Sequence, residues 1–330
     1  MQISVLGDGG WGTTLAILLF RKGYRVCLWS VSRSYASYLD RKRINSKFLP
    51  GVLMPRGIEI TANLRKAVEC RDLIILVVPS QYARKVLFEI KKLRITDLPG
   101  VLVGATKGIE VGTLKRMSEV VKEEIGDIKF AVLSGPTIAR EVVNGIPTTA
   151  VLASKYKREA KRLQEIFMTE RFRVYTNDDV VGVELGGSLK NIIAIACGIS
   201  DGLGFGTNTK AALLARGMSE ISRLGMAMGA KAATFNGLSG LGDLVTTCIS
   251  PYSRNRFVGE QIGKGKCLKE IIAHMQMVAE GVPTTKSAYY LSLRYKVDMP
   301  ITKEVFKVLY RNKAPLKAVR DLMTREKRSE

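Results

Sequence analysis

The chain has one histidine, His274, in 330 residues, and its five cysteines, Cys27, Cys70, Cys197, Cys248 and Cys267, stand singly. Without a second histidine or a cysteine cluster, a zinc site would have to be built from carboxylates, and no metal-ligand spacing occurs, so no metal is expected. A catalytic triad built on imidazole is nearly excluded on the same ground. Single cysteines without paired spacing read as reduced thiols in apolar positions. Long apolar runs are also missing. The longest, 73–79 and 192–199, fall well short of the roughly 20 residues that cross a bilayer, and no membrane span is expected. The first residues, Met1-Gln2-Ile3-Ser4-Val5-Leu6-Gly7, lack the basic, apolar and small-residue succession of a signal peptide, which leaves the cytoplasm as the expected location.

Acidic residues are scarce beside basic ones: 30 Asp and Glu against 52 Lys and Arg leave a formal charge of +22. A basic surface can bind nucleic acid by releasing counterions. Here the charge is spread out. Lys155, Lys157, Arg158, Lys161 and Arg162 alternate with Leu163 and Ile166 as on the solvated face of a helix. Aromatics, at 7%, do not interleave with the basic residues as a stacking platform requires. No specific nucleic-acid partner is expected, whereas small phosphorylated substrates would be attracted.

A length of 330 residues with 46% hydrophobic content suits about two soluble domains. Residues 2–6 form a β-rich run, 11–22 an amphipathic helix and 25–29 a second strand, together a βαβ unit. Apolar runs at 72–78, 101–105, 130–134 and 149–153 alternate with helical patterns, as in a parallel sheet covered on both faces. After Arg173-Val174-Tyr175 helical periodicity takes over, at 180–197, 209–228, 256–262, 285–295 and 302–310. The expected fold is α/β, a Rossmann-like doubly wound domain over 1–177 followed by a mostly α-helical substrate-binding and catalytic domain over 178–330. Polar N-cap residues at Asn177-Asp178-Asp179 mark the division.

Gly7-Asp8-Gly9-Gly10-Trp11-Gly12 matches G-x-G-x-x-G between the first strand and its helix. There backbone N–H groups can meet a pyrophosphate. A tight turn is the plain alternative. At the end of the second strand, where a carboxylate would bond the ribose of NAD, the chain reads Trp29-Ser30-Val31-Ser32-Arg33. Arg33 can pair with the 2′-phosphate of NADP, or be a simple surface arginine. The expected cofactor is NADP(H) or NAD(H), with a lean towards NADP(H).

Reduction of a carbonyl by hydride needs a proton donor, and with His274 isolated that falls to lysine or tyrosine. Lys190 lies on a helical pattern with Gly186-Gly187 one turn before it and Leu189, Ile192 and Ile193 around it. Desolvation there would favour loss of its proton; the competing account is a lysine whose stem packs while its charge reaches water. Asp243, in Gly237-Leu238-Ser239-Gly240-Leu241-Gly242-Asp243, can bond a substrate hydroxyl, orient Lys190 or merely cap a helix. Ser253-Arg254-Asn255 suits a phosphate monoester, although capping also explains Ser253 and Asn255. Ala105-Thr106-Lys107-Gly108 and Ser134-Gly135-Pro136-Thr137 follow strands at their carboxyl ends, where open α/β sheets bind ligands. Lys107 can bring charge to the nicotinamide and substrate, and Thr137 and the Gly135 amide can hold a substrate oxygen; ordinary turn chemistry is the alternative.

In order along the chain, the glycine motif, Val78-Pro79-Ser80, the Lys107 and Gly135 turns, Leu185-Gly186-Gly187-Ser188-Leu189-Lys190-Asn191, Leu241-Gly242-Asp243-Leu244, Ser253-Arg254-Asn255 and Val278-Ala279-Glu280-Gly281 resemble the bacterial NAD(P)-dependent glycerol-3-phosphate dehydrogenase family. The resemblance spans nearly the whole chain. It implies reversible hydride transfer between NAD(P)H and dihydroxyacetone phosphate, giving sn-glycerol 3-phosphate for glycerophospholipid synthesis, in a homodimer. It further implies that Lys190 is the proton donor in ketone reduction and the acceptor in alcohol oxidation. Lys107, Gly135, Thr137, Asp243, Ser253, Arg254 and Asn255 would contact substrate, and Gly10, Trp11, Lys107, Ala139, Arg254, Val278 and Glu280 the cofactor. The chain departs from the family at Val31, where Arg or His is frequent; Arg33, two residues on, is the candidate to replace it. A β-hydroxyacid dehydrogenase, which would prefer a carboxylate substrate, and a non-enzymatic nucleotide-sensing or nucleic-acid-binding protein are the competing readings.

Overall fold

A computed structural model describes residues 1–95 and 98–327. The chain forms two compact units, one of 1–107 with 115–184, the other of 108–114 with 185 onward. The sequence draws its division at 177/178. A helix starting at Val180 runs unbroken to Gly202, so no loop marks the change of unit. The carbonyls of Ile109 and Glu110 accept from the Ser287 hydroxyl, which ties 108–114 to the second unit. Residues 328–330 of the expected second domain lie outside the described residues.

The first unit carries strands β1 (Gln2–Leu6), β2 (Arg25–Trp29), β3 (Glu59–Thr61), β4 (Leu73–Leu76), β5 (Val101–Gly104), β6 (Lys129–Ser134), β7 (Thr148–Ser154) and β8 (Phe172–Asn177). Its helices are α1 (Gly10–Arg21), α2 (Arg33–Lys42), α3 (Leu64–Val68), α4 (Ser80–Lys92), α5 (Met117–Ile125), α6 (Ala139–Val143) and α7 (Lys157–Phe167). The strands form one sheet of order β3-β2-β1-β4-β5-β6-β7-β8. Side chains alternate across it: Leu73 and Ile75 enter the core on one face, Ile74 and Leu76 that on the other. Burial on both faces is why β4 reads as an unbroken apolar run. The expectation of a parallel sheet is corrected at one edge, where β7 runs antiparallel to β6 and parallel to β8. The link between β6 and β7 contains only the five-residue α6, which packs on α1 instead of crossing the sheet. The Lys155–Arg162 cluster does lie on a solvated face, with α7 burying Ala160, Leu163, Ile166 and Phe167.

The second unit is helical. It takes up α8 (Val180–Gly202) from Leu185 onward and continues with α9 (Thr207–Ala227), α10 (Ala232–Phe235), a π-turn (Leu238–Gly242), α11 (Asp243–Ile249), α12 (Arg254–Gly263), α13 (Leu268–His274), α14 (Gly281–Arg294), α15 (Pro300–Tyr310) and α16 (Pro315–Met323). Asp179 starts α8 as expected, its carboxylate accepting the Gly182 amide at 2.9 Å. By length and composition α8 could cross a membrane, but 89% of its apolar window is buried inside the protein, which makes it a core helix. Of the cysteines, Cys27, Cys197 and Cys248 are buried as expected; Cys70 and Cys267 are exposed, a correction to the apolar placement. Helices α8 and α12 touch backbone to backbone. A Cβ at Gly198 would lie 2.0 Å from the Arg256 carbonyl oxygen, and one at Gly259 2.1 Å from that of Ile195. Only glycine permits this approach.

Glu220 of α9 shows how a buried carboxyl ties two helices of this unit together. It is 1% exposed and accepts the Ile301 amide at 2.6 Å and the amide and hydroxyl of Thr302 at 3.0 Å each, so it caps α15. Burial pushes its carboxyl up to about 7, against those hydrogen bonds. The folded chain therefore keeps a proton that the unfolded chain has lost, and stability falls as pH rises from about 4.5 to about 7, by up to about 3 kcal/mol. In urea unfolding followed across that interval, Glu220→Gln should remove most of this fall, whatever constant offset its altered hydrogen bonding adds. A slope identical to the wild type would exclude Glu220 as its source.

Candidate active site

In the first unit the site begins at the carboxyl end of β1. The sheet order places β2 and β4 on opposite sides of β1, so the chain reverses its direction of travel across the sheet there, which opens the crevice where such sheets bind ligands. Gly7 has φ +127°, and a Cβ on it would lie 2.9 Å from the Val77 carbonyl carbon beyond β4. A Cβ at Gly12 would fall 1.9 Å from the Gly7 carbonyl oxygen, and one at Gly10 2.6 Å from that of Phe48. These three glycines are required by the protein's own backbone. Gly9 is not, since nothing lies within 4 Å of where its Cβ would be. It precedes α1, whose N-terminus has no side-chain cap and no acid in its first turn. An open approach to uncapped amides at a helix N-terminus fits a dinucleotide pyrophosphate. The buried indole N–H of Trp11 has no hydrogen-bond partner among the described residues. Ala139 is brought to the same place, its carbonyl accepting from Thr14 at 3.1 Å.

The loop is braced by residues that sequence reasoning missed. The Asp8 carboxylate accepts the Ser30 hydroxyl at 2.6 Å, and Asn45 donates to the Asp8 carbonyl and the Thr13 hydroxyl, each at 2.7 Å. Burial raises the Asp8 pKa, with the Ser30 bond opposing. Thus the carboxylate absent from the end of β2 is replaced there by Ser30, itself bonded to an acid of the glycine loop. Val31 is 78% exposed. Arg33 is the exposed first residue of α2, behind the Ser32 N-cap, and its guanidinium makes no ion pair among the described residues.

Two other turns of this unit meet. Lys107 Nζ donates to the Gly135 carbonyl at 2.8 Å and the Thr137 hydroxyl at 3.3 Å. Gly135 is buried with φ +118°; at this turn it presents its carbonyl to Lys107, where the sequence suggested an exposed amide.

In the second unit, Lys190 and Asp243 are 5% and 1% exposed. Lys190 Nζ on α8 donates to Asp243 Oδ1 and, at 2.8 Å, to the Thr247 hydroxyl of α11, which in turn donates to the Asp243 carbonyl at 2.7 Å. The solvent-reaching account of Lys190 is thereby removed. A Cβ at Gly186 would lie 2.5 Å from the Ser239 carbonyl oxygen; this glycine admits the π-turn that precedes Asp243. Thr247 was missed, although its place one helical turn after Asp243 signals the same face.

The glycine contact of α8 with α12 brings the first turn of α12 against α8. Ser253 N-caps α12 by accepting the Arg256 amide at 3.2 Å. Asn255 is buried; it donates to Asn191 Oδ1 and accepts the Gly281 amide, both at 2.8 Å, which links α12 to α8 and α14. Arg254 is exposed, with one N–H to the Val278 carbonyl at 2.8 Å. Glu280 is the N-cap residue of α14. Among the described residues no cluster of His, Cys, Asp and Glu could hold a metal ion. The second unit therefore presents a buried ammonium held by a carboxylate and a hydroxyl, with a guanidinium at a helix start, a set suited to proton transfer and to anion binding.

Residues 2–160 match the family described as NAD-dependent glycerol-3-phosphate dehydrogenase N-terminus, and residues 179–320 its C-terminus. The chain is 52% identical over 334 residues to the glycerol-3-phosphate dehydrogenase (NAD(P)+) of Prosthecochloris aestuarii, covering 100% of each. It is 51% identical over 330 residues to that of a Thermoanaerobacter species, covering 100% of this chain and 99% of the other. Its structure superposes on a crystal structure of glycerol-3-phosphate dehydrogenase from Coxiella burnetii with a TM-score of 0.94 at 40% identity, covering 98% of this chain and 99% of that one.

Proposed function

The chain belongs to the NAD-dependent glycerol-3-phosphate dehydrogenase family, and from that premise we propose how its own residues carry the reaction. The reaction is reversible hydride transfer between NAD(P)H and dihydroxyacetone phosphate, giving sn-glycerol 3-phosphate. When bound, the nicotinamide supplies the hydride that adds to substrate carbon 2. Lys190 gives its proton to the oxygen on that carbon during reduction and recovers it during oxidation, while Asp243 and Thr247 hold Nζ in place. The observation that carries this reading is the buried Lys190–Asp243 pair: an ammonium fixed at one point is the proton donor that an alkoxide requires.

Arg254 and Ser253, at the start of α12, meet the substrate phosphate, with Asn255 orienting the turn from its links to Asn191 and Gly281. Gly7, Gly9, Gly10, Trp11, Gly12 and Ala139 hold the dinucleotide, Arg33 its ribose end, and Val278 and Glu280 contact it further along. Lys107, Gly135 and Thr137 act on substrate. The physiological direction we propose is reduction, supplying glycerol 3-phosphate for glycerophospholipid synthesis, in a cytoplasmic homodimer.

The test is to follow absorbance as purified protein oxidises NADPH or NADH with dihydroxyacetone phosphate, against a carbonyl substrate bearing a carboxylate. Consumption should depend on the phosphate substrate. Arg254→Ala should raise KM for dihydroxyacetone phosphate by about 10–100-fold, the value of a charge-assisted hydrogen bond. An unchanged KM would remove Arg254 from the phosphate site, and turnover only with the carboxylate substrate would overturn the substrate assignment.

A further inference from the structure

Gly7-Asp8-Gly9 holds an acid where pyrophosphate binding gives no reason for one. A pyrophosphate is anionic and meets the uncapped amides of α1, so a carboxylate two residues before that helix would repel it. The Asp8 side chain instead reaches across to the end of β2. Strands β1 and β2 run parallel with Leu6 beside Trp29, and the Gly7 amide extends this pairing by donating to the Trp29 carbonyl at 3.1 Å. Asp8 and Ser30 are therefore neighbours just beyond the two carboxyl ends, where the Ser30 hydroxyl donates to Asp8 Oδ2 at 2.6 Å. That is the place from which dinucleotide folds present the acid that bonds the ribose 2′-hydroxyl.

The acid is held there at both ends. Ser30 is fully buried, and Asn45 fixes the Asp8 carbonyl at 2.7 Å. Asp8 itself is half-buried; its Oδ1 accepts from no other residue, and it makes no ion pair, among the described residues. Lys47, whose charge bears on Asp8, lies over the rings of Phe48 at 5.0 Å and Tyr35 at 5.9 Å. Arg33, the cation that favours a 2′-phosphate, is exposed and makes no ion pair among the described residues. A charge surrounded by water acts through a high dielectric and is screened by salt, whereas one fixed at half-burial acts more strongly over the same distance. The carboxylate outweighs the guanidinium on that ground.

We propose that Asp8 supplies from the glycine loop the carboxylate that β2 lacks: it accepts from the ribose 2′-hydroxyl of NADH, disfavours the 2′-phosphate of NADPH, and makes NADH the preferred nucleotide against the pull of Arg33. This rests on the assignment of the glycine loop to the dinucleotide. A carboxylate that only braced the loop would affect both nucleotides alike, because they differ only at the 2′ position. Calorimetric titration of the full chain with NADH and with NADPH, without substrate, reads the difference. The wild type should bind NADH about tenfold more tightly. Asp8→Asn keeps the side-chain size and an oxygen for the Ser30 hydroxyl but removes the charge. It should tighten NADPH and weaken NADH, moving the ratio of the two dissociation constants by about 10–100-fold. Asp8→Ser, smaller and also uncharged, should move the ratio the same way, with melting curves to show that both variants are folded. A wild-type preference for NADPH, or a ratio unmoved in the folded variants, overturns the proposal and leaves the dinucleotide site standing. Binding of neither nucleotide by the wild type overturns the assignment of the loop, and this proposal with it.

Discussion

Lys190→Ala is expected to lower kcat for dihydroxyacetone phosphate reduction by about 10²–10⁴-fold, the usual worth of a positioned proton donor. The substitution also does a second thing. It leaves the Asp243 carboxylate, 1% exposed, buried beside the Thr247 hydroxyl without its ammonium, and breaking a buried pair in this way costs about 3–5 kcal/mol. Lost turnover could then be confused with partial unfolding. Lys190→Met combined with Asp243→Asn keeps the volume and removes both charges, so the double variant should recover most of the stability and none of the activity. Melting curves and single-turnover rates on the same samples separate the two effects. A variant lacking Lys190 that stays within tenfold of wild-type kcat would end the assignment of Lys190 as proton donor.

The second large effect contrasts two glycines of one motif. Gly12→Ala puts a methyl 1.9 Å from the Gly7 carbonyl oxygen, where backbone on both sides must move. A loss of about 1–3 kcal/mol or more is expected, with the glycine loop displaced and dinucleotide binding gone. Gly9→Ala meets no protein atom within 4 Å, and its φ of −61° suits alanine. It should leave the melting temperature unchanged and weaken dinucleotide binding at least about tenfold, since the methyl occupies the space open to the pyrophosphate. Tight dinucleotide binding by folded Gly9→Ala would mean that the cofactor does not approach the loop at that residue.

Much of this was legible along the chain because it is local. The order strand, glycine turn, helix, strand places the glycine loop between β1 and α1, and buried β4 announces itself as four consecutive apolar residues. Long helices such as α8 and α9 carry enough turns for their period to show. Three-residue β3 and four-residue α10 carry too few. The direction of β7 escaped for another reason: strand periodicity is the same in parallel and antiparallel pairs, and only the path of the intervening chain decides between them.

At the active site the same division holds. Sequence alone determined which residue types are present, that Lys190 sits in an apolar helix, that His274 stands alone, and that the glycine motif lies between a strand and a helix. Tertiary structure decided that Lys190 is buried and paired with Asp243, that Thr247 shares that pair, that Asn255 spends its amide on Asn191 and Gly281, and that Ser30 and Asn45 brace the loop through Asp8. Each of these joins residues far apart in the chain. Their meeting depends on packing such as the glycine contact of α8 with α12, whose energetics is summed over the whole unit and written in no single stretch of sequence.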